Sequence, residues 1–392
     1  MNQLEFIPLD QPYVGESAPG ITQATRTRPT LLCLSHLRWG FVYQRPQQLM
    51  SRLGRDYDVV FFEEPVFDDV MGPGLRLESV AEGVCVLVPV LPPGLDEAQL
   101  IDAQRRLIDA WLALGDVGEL LLWYWTPMSL PFTEHLQAQV VVYDCMDELS
   151  AFRFAPPAML AMEQRLLQRA DLVFTGGHSL WEAKRQHHAN VHAMPSSVDI
   201  SHFGQARQPL PDPPDQAEIP HPRLGFFGVI DERFDIQLVA ELAVRRPDWH
   251  IVLIGPVVKI DEASLPRLAN IHYLGSRPYE ALPAYLAGWD VALMPFAHNE
   301  STRYISPTKT PEYLAGGCPV VSTAVRDVVK GYGNSGVVSI ADTPEAFIEA
   351  VQDALNLRFQ SGEIARRADK ALDGMSWDKT CGAMRELIEC QR

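Results

Sequence analysis

Along most of the chain, short apolar runs rich in β-branched and aromatic residues alternate with longer stretches of helical spacing. In the first half, runs at 30–35, 58–65, 84–90, 119–125, 139–147 and 171–177 predict strands, and the spacing at 45–53, 96–114 and 157–170 predicts helices between them. These strands are apolar throughout instead of alternating. Such runs are buried on both faces, as in a parallel sheet covered by helices. The pattern predicts a doubly wound α/β unit.

From 205 to 222 the pattern stops. Five prolines fall between 209 and 220 in a stretch poor in apolar residues, which predicts a linker. Alternation then restarts, with strands expected at 223–230, 250–256, 271–276, 290–296 and 319–323, and helices at 235–247, 279–289, 310–317 and 344–357. An amphipathic stretch at 375–392 closes the chain. The expected organisation is a flexible leader (1–28), an N-terminal α/β domain (29–204), the Pro-rich linker (205–222), a C-terminal α/β domain (223–374) and a final crossover helix (375–392). A length of 392 residues suits two cores better than one.

Composition narrows the partners. Acidic residues outnumber basic ones by 50 to 33, a formal net charge of −17 that repels phosphate backbones and argues against nucleic acid. The same field disfavours broad adhesion to anionic lipid, while a local basic patch still allows peripheral membrane contact. The six cysteines form no Cys-x-x-Cys pair, which points to a reducing compartment. No apolar run reaches the membrane-spanning length of about 18 residues, and the first residues lack the basic and apolar regions of a signal peptide. The expected location is the cytoplasm, at the inner face of the membrane if a lipid-linked partner is used.

The residues that carry chemistry cluster at 295–321, PFAHNESTRYISPTKTPEYLAGGCPVV. A polar loop leaves a strand and enters a helix near Ser306–Thr310, where free backbone N–H groups suit a diphosphate. Ser306, Thr308 and Thr310 add hydroxyls, Lys309 a charge, and Glu312 a carboxylate able to accept both hydroxyls of a ribose. The bland alternative is a capped surface helix. In GFFGVIDERFD (225–235), the strand ends at Gly228, where backbone can approach a ligand, and Arg233 offers a permanently charged fork for a leaving diphosphate.

The segment PTKTPEYLAGGCPVVST resembles the donor-site helix of GT-B glycosyltransferases, especially retaining enzymes of family four. The resemblance extends over about 223–323. Glu312 and Gly317-Cys318-Pro319-Val320 match position by position, and Ser306–Tyr313 is similar to variants found among cell-surface polysaccharide transferases. The family's usual earlier glutamate, eight positions before the second, is replaced by Tyr304. Its usual lysine after the arginine of the 225–235 loop is absent, with Lys309 left to supply the second charge.

The resemblance implies two Rossmann-like domains facing across a cleft, with the last helix returning to brace the first domain. It implies a nucleoside-diphosphate sugar bound by the C-terminal domain and a saccharide or lipid-linked acceptor bound by the N-terminal one. Transfer would be retaining and metal-independent, with no cofactor. Gly255, Leu274 and Arg277 would face the nucleobase or phosphates, although Arg277 serves equally as a salt-bridge partner. Gly40, next to Trp39, stands where the family keeps a glycine pair near donor phosphates.

The loop at 35–49 resembles transferases of teichuronic-acid and other exopolysaccharide pathways, and His36, Trp39 and Arg45 are its acceptor candidates. Asp144 and Asp147, at a strand end, are candidates to orient an acceptor hydroxyl or act as base, with helix capping as the alternative for Asp147. His178 has a similar, weaker claim. The Asp-x-Asp at 56–58 enters a strand on the wrong side for a metal, and no Gly-x-Gly-x-x-Gly or Gly-x-Ser-x-Gly follows a strand. Two rivals share the pattern: a sugar-nucleotide epimerase of the same fold, and a non-catalytic nucleotide-sugar-binding protein.

Overall fold

A computed structural model describes residues 5–8, 28–115, 117–357 and 361–392. They form two α/β units, each built on its own sheet. The first sheet contains β1 (Glu5–Pro8), β2 (Thr30–Leu34), β3 (Asp58–Phe62), β4 (Val66–Phe67), β5 (Gly74–Ala81), β6 (Val84–Leu91), β7 (Leu120–Tyr124), β8 (Val140–Cys145), β9 (Leu172–Thr175) and β10 (Val191–Ala193). Their order is β1-β5-β6-β3-β2-β7-β8-β9-β10, with β4 on β6. The second sheet contains β11 (Arg223–Phe227), β12 (His250–Ile254), β13 (Ile271–Gly275), β14 (Val291–Met294), β15 (Val320–Ser322) and β16 (Val338–Ile340), in the order β13-β12-β11-β14-β15-β16. Strand order therefore reverses between β2 and β7 in one sheet and between β11 and β14 in the other. In doubly wound sheets, ligands gather at the carboxyl ends of strands at that reversal.

The expected fold class holds, and so does the return of the last helix. Trp377–Glu389 is capped by Ser376, whose side chain accepts from the Lys379 N–H at 3.1 Å. It lays Trp377, Cys381, Met384 and Ile388 into the first unit's core, beside Leu31, Leu49 and Phe61.

Four expectations need correction. The first unit is not wholly parallel: β5 pairs antiparallel with β6 and with β1. The sequence of β5, GLRLESVA, carries the period-2 alternation of a strand near an edge, with Leu75 and Leu77 buried and Arg76 and Glu78 less so. The leader 1–28 lies mostly outside the described residues, yet Glu5–Pro8 within it is β1. The segment 205–222 is bound to the second unit, not a bare linker. It forms one helical turn, Pro214–Ala217, whose buried Gln216 donates to the Tyr285 carbonyl (3.1 Å) and accepts from the Trp289 indole (2.8 Å). Its Asp212 pairs with Arg223 at 2.6 Å. Prolines broke the apolar pattern, and polar bonds together with the buried Ile219 make the attachment. Finally, 279–289 divides into a 3₁₀ turn, Tyr279–Ala281, and a helix, Leu282–Ala287, and a further helix, Ser361–Ala371, follows Pro344–Leu357.

At the carboxyl edge of the first sheet lies an ion pair removed from water. Arg45, in the helix Arg45–Leu53, donates through Nη2 to Asp144 Oδ1 (2.9 Å) and through Nε to Oδ2 (3.1 Å), with side chains 1% and 0% exposed. Its remaining nitrogen, Nη1, donates to the Met194 carbonyl at 2.7 Å. Burial pushes the Asp144 carboxyl up, and Arg45 pulls it back. Removing one member strands a buried charge, so Arg45→Met and Asp144→Leu should each lower unfolding free energy by about 3–5 kcal/mol. The double replacement should lose less than either single one. Urea unfolding of the three variants checks this, and single losses below about 1 kcal/mol would show that the pair is not under that constraint.

Candidate functional site

Both strand reversals open onto adjoining cavities between the units. The larger, about 300 Å³, is walled by Gly228, Gly255, Ser276, Arg277, Lys309 and Glu312 of the second unit and covered by Trp39–Tyr43 of the first. The smaller, about 110 Å³, lies against Val42, Gln44, Arg45, Met146, Asp147 and Ser196 on one side and Gly228, Arg233, Ser306, Thr308 and Lys309 on the other. Gly228 and Lys309 line both.

Two glycines shape the larger cavity. Gly228 (φ 152°) and Gly255 (φ 143°) adopt backbone conformations that side chains disfavour, and a Cβ on Gly255 would stand 1.9 Å from the Gly228 carbonyl oxygen. The close approach of the β11 and β12 ends therefore requires glycine and leaves bare main chain facing the cavity.

Its charges are organised by neighbours. Glu312, in the helix Lys309–Ala315, is 8% exposed, and burial pushes its carboxyl up to about 7 against the pull of Lys309, whose Nζ lies 3.9 Å away. Lys309 Nζ also donates to Thr308 Oγ1 at 2.8 Å. In the smaller cavity Arg233 is clamped by Asp231: Nε reaches both carboxylate oxygens (3.0 and 3.1 Å) and Nη2 reaches Oδ2 (2.7 Å). Burial opposes its charge, and Asp231 outweighs that and keeps the guanidinium protonated. Asp147 faces it, its carboxyl raised by burial and drawn back down by Arg233.

The structure thus brings Arg233, Lys309, Asp147, Gly40, Gly228, Gly255, Arg277, Ser306, Thr308, Glu312, Trp39 and Arg45 to the two cavities. Several placements differ from expectation. Trp39 covers the larger cavity and does not line a separate acceptor pocket. Arg45 and Asp144 spend their charges on each other, so neither has a free fork or carboxylate for an acceptor. Thr310 is fully buried on the helix face turned inward, its Oγ1 without a partner among the described residues. Leu274 packs into the second unit's core, and Ser276, two residues on, takes the cavity position. His178 is exposed and His36 stands outside both linings. Burial and Lys259 push His36 down to about 4, and its Nδ1 is buried without a partner among the described residues. Arg277 is an ion-pair partner after all, bound to Asp215 of the Pro-rich segment and, through Nε, to the Tyr285 hydroxyl at 2.7 Å.

Sequence reasoning missed Asp231 and Tyr279. Asp231 was legible as a carboxylate two positions before Arg233. Tyr279 stacks on His202 (ring centroids 4.1 Å apart) and meets Tyr43 (4.5 Å), while its hydroxyl accepts from Gln48 at 3.0 Å. Those contacts come from two distant segments, 43–48 and the turn at His202, and left no local signal.

Two facing doubly wound units with a cavity at their switch points define the GT-B architecture. Residues 221–356 match the family model described as glycosyl transferases group 1, so the second unit carries a domain of that kind. The chain is 28% identical over 229 residues to TuaH of Bacillus subtilis (strain 168), described as a teichuronic acid biosynthesis glycosyltransferase. That match covers 53% of this chain and 56% of TuaH, so the chain spans about half the length of this curated relative. Among solved structures, sucrose-phosphate synthase from Thermosynechococcus elongatus superposes with a TM-score of 0.70 at 14% identity, covering 93% of this chain and 99% of the other. The E. coli trehalose-6-phosphate structure bound with UDP-2-fluoro glucose gives 0.65 at 12%, covering 92% and 99%. Anabaena HepE in complex with UDP gives 0.63 at 12%, covering 93% and 100%. At such identities these likenesses establish the fold. No described helix is long and apolar enough to cross a membrane.

The electrostatics of the larger cavity can be read directly. The Glu312 carboxyl should titrate near pH 7 in carboxyl-detected NMR, well above an ordinary glutamate. Because Lys309 lowers that value, Lys309→Met should move the midpoint further upward. A midpoint that stays put or falls would separate the two groups.

Proposed function

We propose that the chain transfers a sugar from a nucleoside-diphosphate donor to a saccharide or lipid-linked acceptor, with retention and without a metal or other cofactor. The observation that carries this reading is the arrangement of Glu312, Lys309 and Arg233 around the two adjoining cavities. An ionised Glu312 would accept hydrogen bonds from the ribose hydroxyls, and the glycine ends of β11 and β12 would admit the nucleotide against bare main chain. Lys309 and Arg233 would hold the diphosphate, Arg233 pre-aimed by Asp231 so that little reorganisation accompanies charge build-up. Ser306 and Thr308 add hydroxyl donors to the same end.

In the reaction the bond between the anomeric carbon and the phosphate oxygen breaks, and the acceptor hydroxyl oxygen bonds to that carbon. The hydroxyl proton passes to the departing phosphate, as the family resemblance implies, so no separate base is needed. Asp147 would orient the acceptor hydroxyl beside Arg233. The B. subtilis relative supports a role in cell-surface polysaccharide synthesis. The absence of any Cys-x-x-Cys pair in the sequence supports a cytoplasmic setting, with the inner membrane face as the place to meet a lipid-linked acceptor.

Thermal melts with UDP, GDP, dTDP, ADP and CMP, without added metal, should show stabilisation by at least one nucleoside diphosphate. No shift with any of them in folded protein would remove the donor site. Arg233→Ala should lower kcat by about 100-fold if the guanidinium stabilises the leaving group. Unchanged turnover in a folded variant would take Arg233 out of the mechanism. Sugar-nucleotide consumption without an acceptor, yielding an isomeric sugar nucleotide, would favour an epimerase instead.

A further inference from the structure

A hollow of about 790 Å³ lies beside the reaction cavities and takes no part in the mechanism above. It is framed by the helices Met159–Arg169 and His178–Lys184, by the turn Leu149–Ala151, and by Glu300 and Tyr304 of the second unit. Consecutive residues join it to the smaller cavity: Asp147 lines one and Glu148 the other, while Ser306 and Ile305 line one and Tyr304 the other. A ligand lying in the hollow would therefore extend to Asp147 and Arg233.

Its chemistry is that of a site for uncharged hydroxyls. At the floor, Lys184 Nζ sits between Glu148 (2.7 Å) and Glu163 (2.7 Å), and Glu163 also accepts from the Tyr143 hydroxyl at 2.8 Å. These charges are spent on one another. Glu300 at the rim pairs with Arg303 at 3.9 Å, so three carboxylates stand against one ammonium and one guanidinium, a residual negative balance that disfavours anionic ligands. Above the floor, Gln164, Gln168 and His187 bear side chains that make no hydrogen bond to another described residue, each able to donate and accept as a sugar hydroxyl requires. The exposed Leu160 and the ring of Tyr304 supply apolar surface for the C–H face of a sugar ring. The volume falls within the range of about 300–1,000 Å³ typical of ligand pockets and holds more than one sugar ring.

We propose that this hollow binds a neutral saccharide segment of the acceptor, an inference that rests on the glycosyl-transfer reading above. It selects uncharged sugars over uronates or phosphorylated ones. Because Glu300 and Tyr304 belong to the second unit, the segment is gripped only when the units face each other.

The test is ligand-observed NMR on the full chain with maltotriose, cellotriose and mannotriose, against trigalacturonate as the anionic probe of equal length. At least one neutral trisaccharide should bind, with trigalacturonate weaker by tenfold or more. Gln164→Ala/Gln168→Ala, on an exposed helix face where alanine is well tolerated, should weaken the neutral ligand by about tenfold for two lost hydrogen bonds. Tyr304→Ala should weaken it independently. Stabilisation by a nucleoside diphosphate is read on the same samples and should be unchanged in the glutamine variant. Equal binding of trigalacturonate, or full binding in both variants, overturns the inference. So does silence from every neutral trisaccharide in protein that still takes up a nucleoside diphosphate. Protein that takes up neither overturns the donor reading with it.

Discussion

The buried pair of Arg45 and Asp144 is the constraint on which the first unit's contribution depends. Two charges without water are stable only in a geometry that satisfies both, and here the third arm of the guanidinium is used by the Met194 carbonyl. Three segments far apart in sequence are thereby pinned at one point. Val42 and Gln44 precede Arg45, Met146 and Asp147 follow Asp144, and Ser196 follows Met194. Those five residues line the smaller cavity from this side. The pair's charges are spent on each other, and its geometry sets where the wall stands.

The opposite wall uses charge differently. Arg233, Lys309 and Glu312 each have a neighbour that tunes them but leaves them facing a cavity. Asp231 fixes the fork of Arg233 through three bonds, and Lys309 touches Glu312 only at 3.9 Å. In a chain of net charge −17, Arg233 and Lys309 set two cations at the seam, each beside a carboxylate.

Much of this was legible because apolar periodicity reports burial directly. Both α/β units follow from it, the returning helix was expected from the family resemblance, and Arg233, Lys309 and Glu312 follow from their places after a strand end and in the first turn of a helix. What was not legible depended on contacts between distant segments. Nothing near Asp144 says that its partner is Arg45, so both read as free acceptor groups. Thr310 looked like a third hydroxyl of one loop, but a single helical step turns it inward. The segment 205–222 looked unattached because its prolines break the apolar pattern, leaving the polar Gln216 and Asp212 and the buried Ile219 as anchors too few to show as a periodic run. The strand β5 was hidden by its alternation, which reads as weak beside the continuous runs around it.

Tyr304 shows why a departure from a family pattern needs the structure to be understood. The resemblance places a glutamate there to hold the transferred sugar. Here the side chain lines the hollow beside Gln164 and Gln168, packs against the first unit's core and carries the Arg303 guanidinium 5.2 Å above its ring. It therefore bridges the units instead of facing the larger cavity. The other bridges are similarly polar or aromatic: Gln48 to Tyr279, and the Asp327 carboxylate receiving the Ser179 N–H at 3.1 Å. An interface of such contacts separates more readily than an apolar one. On the proposed reading the site admits two ligands from solvent, which such an interface suits, and the tyrosine at position 304 joins that interface where the two units meet.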